Sequence, residues 1–189
     1  MIITEILARN ARMYGGETAL IERAPAENKR TAITWTEFDQ QANRVAQALI
    51  GRGIAKGQRV VHLMMNCIEW LPLYFGILRT GAWAVPLNFR FVAKTILRCT
   101  ETAEARAMIF GEEFIDRIDA IKAELDRTVH WYIFVGPEAK TPAYAEHIDT
   151  FLATAEAVAP EVPLKLEDEA ALYFTSGTTG TPKATLLTH

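Results

Sequence analysis

Two hydrophobic periods alternate along the chain. Stretches with apolar residues every three or four positions give way to short runs that are apolar at every second position or throughout, the periods that separate helices from strands. The first helical stretch covers about 4–14, with Ile6, Leu7 and Met13 on its apolar side and Gly15–Gly16 to stop it. "TALIER" and "RTAITW" follow as two short strands around the polar turn "APAENK", a hairpin. Thr34 and Glu37 then stand at capping-box spacing, and Phe38, Ala42, Val45 and Leu49 recur at i, i+4, i+7 and i+11, which predicts a helix ending at Gly51 to Gly53.

"QRVVHLMMN" reads as a strand running into Asn66 as N-cap of the next helix. In that helix Ile68, Leu71, Phe75 and Leu78 form the buried stripe, Pro72 is tolerated near the first turn, and Gly81 closes it. The strand "AWAVPLN", a helix over about 92–100, the strand "ARAMIF", a helix over about 112–125 and the strand "HWYIFV" continue the alternation. Strands separated by helices of this length pair in parallel, so the expected class is α/β, a largely parallel sheet flanked by helices. Residues 136–141 and 160–169 are rich in Pro, Glu and Asp and read as surface connections, with a short helix within 147–158. The second connection leads into the apolar strand "AALYFT".

Composition narrows the function classes. At 189 residues, half of them apolar, the chain has enough material for one folded unit with a core. A net charge of −3, with no long Lys/Arg run, argues against nucleic acid and against an anionic membrane surface as partner. Cys67 and Cys99 lack CxxC spacing and a histidine placed to complete a zinc set, so they read as small core residues of a reducing compartment, with no metal site. The amino terminus "MIITEILARNARMYGG" lacks the layout of a signal peptide, and no stretch reaches the roughly 18 apolar residues of a span. The expected location is cytoplasmic. Trp35, Trp70, Trp83 and Trp131 sit at element starts or in strands and read as core or rim aromatics.

The chemistry concentrates in "TSGTTGTPK", Thr175 to Lys183, delivered by an apolar strand. Ligands of open α/β sheets gather at the carboxyl ends of strands. Gly177 and Gly180 let the backbone approach oxygens without a Cβ in the way, Ser176, Thr178 and Thr179 add short donors, and Lys183 adds a point charge. Charge-assisted hydrogen bonds are worth roughly 1.5–3 kcal/mol each, enough for a few to offset the ordering of a glycine-rich loop around a polyphosphate. A flexible surface turn is the bland alternative. A Walker loop does not fit, because it needs G-x-x-x-x-G-K-[ST] opening a helix, whereas Pro182 precedes Lys183 and residues 184–187 read as strand. "GRGIAKG", at 51–57, follows a helix and precedes a strand, so it reads as a helix C-cap and turn rather than a dinucleotide loop.

"YFTSGTTGTPKATLLTH" resembles the AMP-binding signature of the adenylate-forming superfamily, which includes acyl-CoA synthetases, peptide-synthetase adenylation domains and luciferases. The stretch from "RTAITWTEF" to "GAWAVPLNFR" is similar to the amino-terminal half of fatty acyl-CoA synthetases. The resemblance implies that residues 1–189 form the amino-terminal part of the AMP-binding domain of an AMP-forming acyl-CoA synthetase. In such enzymes a carboxylate attacks the α-phosphate of Mg-ATP to give an acyl-adenylate and pyrophosphate, and coenzyme A then displaces AMP. It also implies that Thr175, Ser176, Gly177, Thr178, Thr179, Gly180 and Lys183 hold the β- and γ-phosphates, with no catalytic residue among residues 1–189. ATP, Mg2+ and coenzyme A are then the expected cofactors, and a small carboxylic acid the substrate. Two departures stand out. Ala184 replaces the glycine that usually follows the lysine, and the chain ends at His189, expected to be structural or capping, before the family's downstream motifs. The expectations are that these residues alone do not complete adenylation and that uncovered apolar faces promote a homodimer or other self-association. An adenylation domain, an aryl-acid ligase and a non-catalytic nucleotide-binding or interaction module are the alternatives.

Overall fold

Residues 1–175 and 182–189 are described in the structure, a computed structural model. Helix α1 (Ile3–Tyr14) lies against α2 (Trp35–Gly51) through Thr4 and Leu7. Of the three apolar residues expected to pack, only Leu7 does; Ile6 and Met13 face outward. Strands β1 (Thr18–Ala24) and β2 (Lys29–Thr34) form the expected antiparallel hairpin, a two-stranded sheet of its own. Its tip is a turn of 3-10 helix over Pro25–Glu27, closed by Asn28 at φ +50°.

The capping box at the head of α2 is formed in full. The Glu37 N–H donates to Thr34 Oγ1 at 3.2 Å, and the Thr34 N–H donates back to Glu37 Oε2 at 2.7 Å. Phe38, Ala42, Val45 and Leu49 are all buried. The helix ends through Gly53 at φ +81°, as a C-cap and turn.

After β3 (Arg59–Leu63), α3 spans Trp70–Arg79, starting later than the sequence suggested, and Asn66 does not cap it. Pro72 explains the shift. A helix begun at Asn66 would place Pro72 in its interior, where the missing N–H breaks the ladder and the ring clashes; begun at Trp70, it places Pro72 in the first turn, where no intrahelical donor is needed. The helix is buried on more than the expected stripe. Leu73, Ile77 and Leu78 enter the central core, while Leu71 and Phe75 pack on the smaller cluster around Leu7 and Phe38.

Strand β4 (Trp83–Pro86), helix α4 (Ala93–Ala103) and strand β5 (Ala107–Gly111) come next. The helix expected over 112–125 is divided into a 3-10 turn, α5 (Ile115–Asp119) and α6 (Lys122–Leu125), with the break at Ile121, whose φ of −130° leaves the helical range. Then follow β6 (Trp131–Val135), β7 (Glu146–His147), α7 (Ile148–Leu152), β8 (Glu169–Thr175) and β9 (Lys183–Thr188). The main sheet has the order β7-β6-β5-β3-β4-β8-β9 and is parallel except for the final β8–β9 pair. Val60, Ala84, Ile109 and Ile133 face α2, α3 and α7 on one side; Val61, Leu63, Met108 and Phe110 meet Ile96, Ile118 and Leu125 on the other.

Residues 153–168 cross the surface as a strap tied down mainly by α2. Asn43 Nδ2 donates to the Ala157 carbonyl, Arg44 to those of Leu152 and Ala155, and Gln47 to that of Val158. Lys56 Nζ fixes the far end on the Pro163 carbonyl and the Asp168 carboxylate.

Candidate functional site

Strand β8 enters the site from the interior. Ala170, Ala171 and Leu172 are buried, and Tyr173 and Phe174 then pack on opposite faces of the sheet, each in a different core cluster. Thr175 is exposed. The chain returns along β9, an edge strand whose six residues are all exposed. Thr175 is paired with Lys183 and Phe174 with Ala184, and Thr175 Oγ1 donates to the Lys183 carbonyl at 3.4 Å. The two ends of the predicted phosphate loop are therefore held face to face by an antiparallel ladder. Ser176, Gly177, Thr178, Thr179 and Gly180 lie outside the described residues.

Ala184 is a strand residue in this ladder and does not carry positive φ; the described non-glycine residues that do are Asn28 and Glu104. Its methyl group therefore meets no backbone conformation that requires glycine. His189 lies at the opposite end of the hairpin, about 20 Å along a six-residue strand from Lys183. Its N–H donates to the Asp168 carbonyl at 3.1 Å. Neither ring nitrogen has a hydrogen-bond partner among the described residues, and burial lowers its pKa, with Asp168 opposing that trend. It belongs to the base of the hairpin, in keeping with a structural role.

Under the exit of β8 lies an aromatic group that sequence reasoning did not assemble. The hydroxyls of Tyr74 and Tyr173 are 3.0 Å apart, Trp70 stacks on Tyr74 at 5.3 Å between ring centroids, and His62 lies 4.5 Å from Trp70. Burial, followed by the bond to Tyr173, pushes the Tyr74 hydroxyl above its usual range, so it stays a neutral hydrogen-bonding group. His62 is completely buried with neither nitrogen partnered, and desolvation lowers its pKa to about 3. The signal available in the sequence was one histidine within the apolar run "RVVHLMM" and the i, i+4 spacing of Trp70 and Tyr74.

The neighbouring strand exit, after β4, is an ordered turn. The Arg90 N–H donates to Asn88 Oδ1 at 2.9 Å, and Arg117 clamps the turn through the Phe89 carbonyl at 2.6 Å. No described thiol is poised as a nucleophile: burial first, and Glu69 second, raise Cys67 to about 12, and burial raises Cys99 to about 11. Among the described residues no group of three or more His, Cys, Asp or Glu side chains could hold a metal ion. An all-protein cage for Mg2+ is therefore absent among the described residues. No described helix is long and apolar enough to cross a membrane.

A model of the AMP-binding enzyme family matches residues 7–189. The long-chain-fatty-acid–CoA ligase FadD13 of Mycobacterium tuberculosis is 34% identical over 157 residues, covering 83% of this chain and 30% of the relative. The 3-hydroxybenzoate–CoA/4-hydroxybenzoate–CoA ligase of Thauera aromatica is 34% identical over 98% of this chain and 34% of its own length. Among solved structures, the anthranilate CoA ligase AuaEII in complex with anthranoyl-AMP superimposes with a TM-score of 0.90 at 26% identity, over 100% of this chain and 35% of that one. A Mycobacterium tuberculosis fatty acyl CoA synthetase gives 0.82 at 30% identity, over 100% of this chain and 34% of that one. The chain spans about a third of the length of the curated relatives it matches.

Proposed function

The chain belongs to the family of AMP-binding enzymes, and on that premise we propose that it is the amino-terminal part of an ATP-dependent, AMP-forming acid–CoA ligase. The β8–β9 hairpin is its phosphate-binding element. The observation that carries this reading is the pairing of Thr175 with Lys183 at the carboxyl end of β8, because it joins a hydroxyl and a lysine at the two ends of one loop. Thr175, Ser176, Gly177, Thr178, Thr179, Gly180 and Lys183 then bind the β- and γ-phosphates of ATP. Their donors and the lysine charge offset the negative charge of the departing pyrophosphate while a carboxylate oxygen attacks the α-phosphate. The residues position and stabilise, and the nucleophile is the substrate. The second step forms the thioester with coenzyme A and releases AMP. Relatives that act on fatty acids and on hydroxybenzoates are similar in the same residues, so the proposed substrate is a carboxylic acid. The proposed compartment is the cytoplasm.

Calorimetric titration of the chain with ATP tests the loop. Lys183→Ala is expected to weaken binding about tenfold or more, the loss of one charge-assisted contact; equal heats for both proteins would remove the hairpin from the proposal. Because the relatives are about three times longer, the 189 residues alone are expected to show no carboxylate-dependent pyrophosphate exchange. Exchange by the purified chain would overturn that expectation. We further propose self-association through the open edge of β9, where Leu186 and Leu187 are exposed. Light scattering should show a concentration-dependent dimer that Leu186→Lys disperses; a monomer at all concentrations would count against it.

A further inference from the structure

Strand β8 is held unevenly along its length. Among the described residues its registered pairing with β4 is at Ala171, opposite Ala84. From Leu172 to Thr175 its registered partner is β9, an edge strand exposed at all six residues. The end of β8 that carries Thr175 is therefore supported by main-chain pairing on one side, and by a neighbour that is itself open to water.

Side chains fix this end to the body of the protein. They alternate along a strand, so Tyr173 and Thr175 share one face of the sheet, and Lys183, opposite Thr175, shares it too. On that face Tyr173 packs on the central core cluster, and its hydroxyl lies 3.0 Å from that of Tyr74. The rise of a strand puts Tyr173 about 7 Å along β8 from Thr175. Tyr74 is itself anchored. It is 9% exposed, and Trp70 stacks on it at an interplanar angle of 16°. Its helix is tied to α2 by Arg79, which donates to the Asp39 carboxylate and carbonyl and to Asn43 Oδ1. Phe174, on the opposite face, contributes apolar contact, which is non-directional. The hydroxyl pair adds a direction.

We infer that Tyr74 is a positioning residue for the phosphate loop: its hydroxyl holds Tyr173, and through it the strand end at which Thr175 and Lys183 face each other. The inference rests on the reading of the hairpin as the phosphate-binding element. Tyr74 acts through the stem of the loop. The stem must be closed for its two ends to meet one ligand, so apparent affinity falls with the fraction of molecules in which it is closed. A neutral hydrogen bond shifts such an equilibrium by a factor of about two to ten.

Hydrogen exchange of the hairpin amides and calorimetric titration of the 189-residue chain with ATP test the inference. In Tyr74→Phe the amides of 172–175 and 183–186 should exchange about three- to tenfold faster and ATP should bind about two- to fivefold more weakly, while the amides of β3 and α3 exchange as in the parent. Tyr173→Phe should match it, and the double variant should do no worse than either, since the same bond is lost in all three. Tyr132→Phe is the control. It removes a comparably buried hydroxyl bond, to Asp126 at 3.0 Å, on a strand separated from β8 by β5, β3 and β4, and should leave both readouts unchanged. Unchanged hairpin exchange in Tyr74→Phe, unchanged affinity where the parent binds ATP, equal acceleration in β3 and α3, additive losses in the double variant, or the same effect in Tyr132→Phe would each overturn it. A parent chain that does not bind ATP would instead overturn the phosphate-binding reading, and the exchange comparison would still decide whether Tyr74 holds the stem.

Discussion

His62 is buried in an apolar face of the sheet with neither ring nitrogen hydrogen-bonded. Its folded-state pKa, about 3, lies below the ordinary 6.5, so below pH 6.5 the unfolded chain takes up a proton that the folded chain refuses. The stabilisation this gives is fully present above pH 6.5 and is lost as the pH falls from 6.5 towards 3, a change on the order of a few kcal/mol. His62→Leu should therefore lower the midpoint of acid unfolding followed by circular dichroism, while stability at pH 7 stays level or rises. An unchanged acid midpoint would show that other groups, among them His189, set the acid limit. At this scale much of the hairpin was legible: Thr175, Lys183 and the strand character of Ala184 follow from residue type and spacing. The partnership of Tyr74 with Tyr173 was not, because it joins residues 99 positions apart whose only sequence signal is that both are tyrosines.

Among the elements, α2 carries the most structure. It is begun by the Thr34–Glu37 box, packs α1 and α3, and holds the strap. Thr34→Ala removes the Oγ1 that accepts the Glu37 N–H and should cost about 1 kcal/mol in urea unfolding, the usual loss for a cap. Gly76 of α3 is the point of closest approach. A Cβ there would lie 2.4 Å from Val45 Cβ, so Gly76→Ala should destabilise by roughly 1–3 kcal/mol through overpacking. Adding Val45→Ala should return part of that loss in a double-mutant cycle; strict additivity would show that the helices adjust without contact between these two positions. The start of α2 was plain in the sequence because caps are local. The start of α3 was misplaced because Asn66 offers one plausible signal and Pro72 a stronger constraint.

Over the whole molecule, the strap leads the chain from α7 to β8, and its position depends on side chains far away in sequence. Arg44 donates to the strap carbonyl of Ala155 at 3.2 Å and to that of Leu152, the last residue of α7, at 2.8 Å. Arg44→Ala should speed limited proteolysis within 153–168 severalfold while lowering global stability by only about 1–2 kcal/mol. Cleavage unchanged from the parent would mean that the remaining donors, Asn43 and Gln47, hold the strap without it. The sequence by itself determined the alternation of helices and strands, the parallel character of the sheet and the family signature at its last hairpin, because periodicity, caps and turn residues act between near neighbours. The tertiary structure alone decided the strand order, the burial of His62 and the donors that hold the strap. These depend on long-range pairings, which several arrangements of the same elements could satisfy until the core packs and selects one.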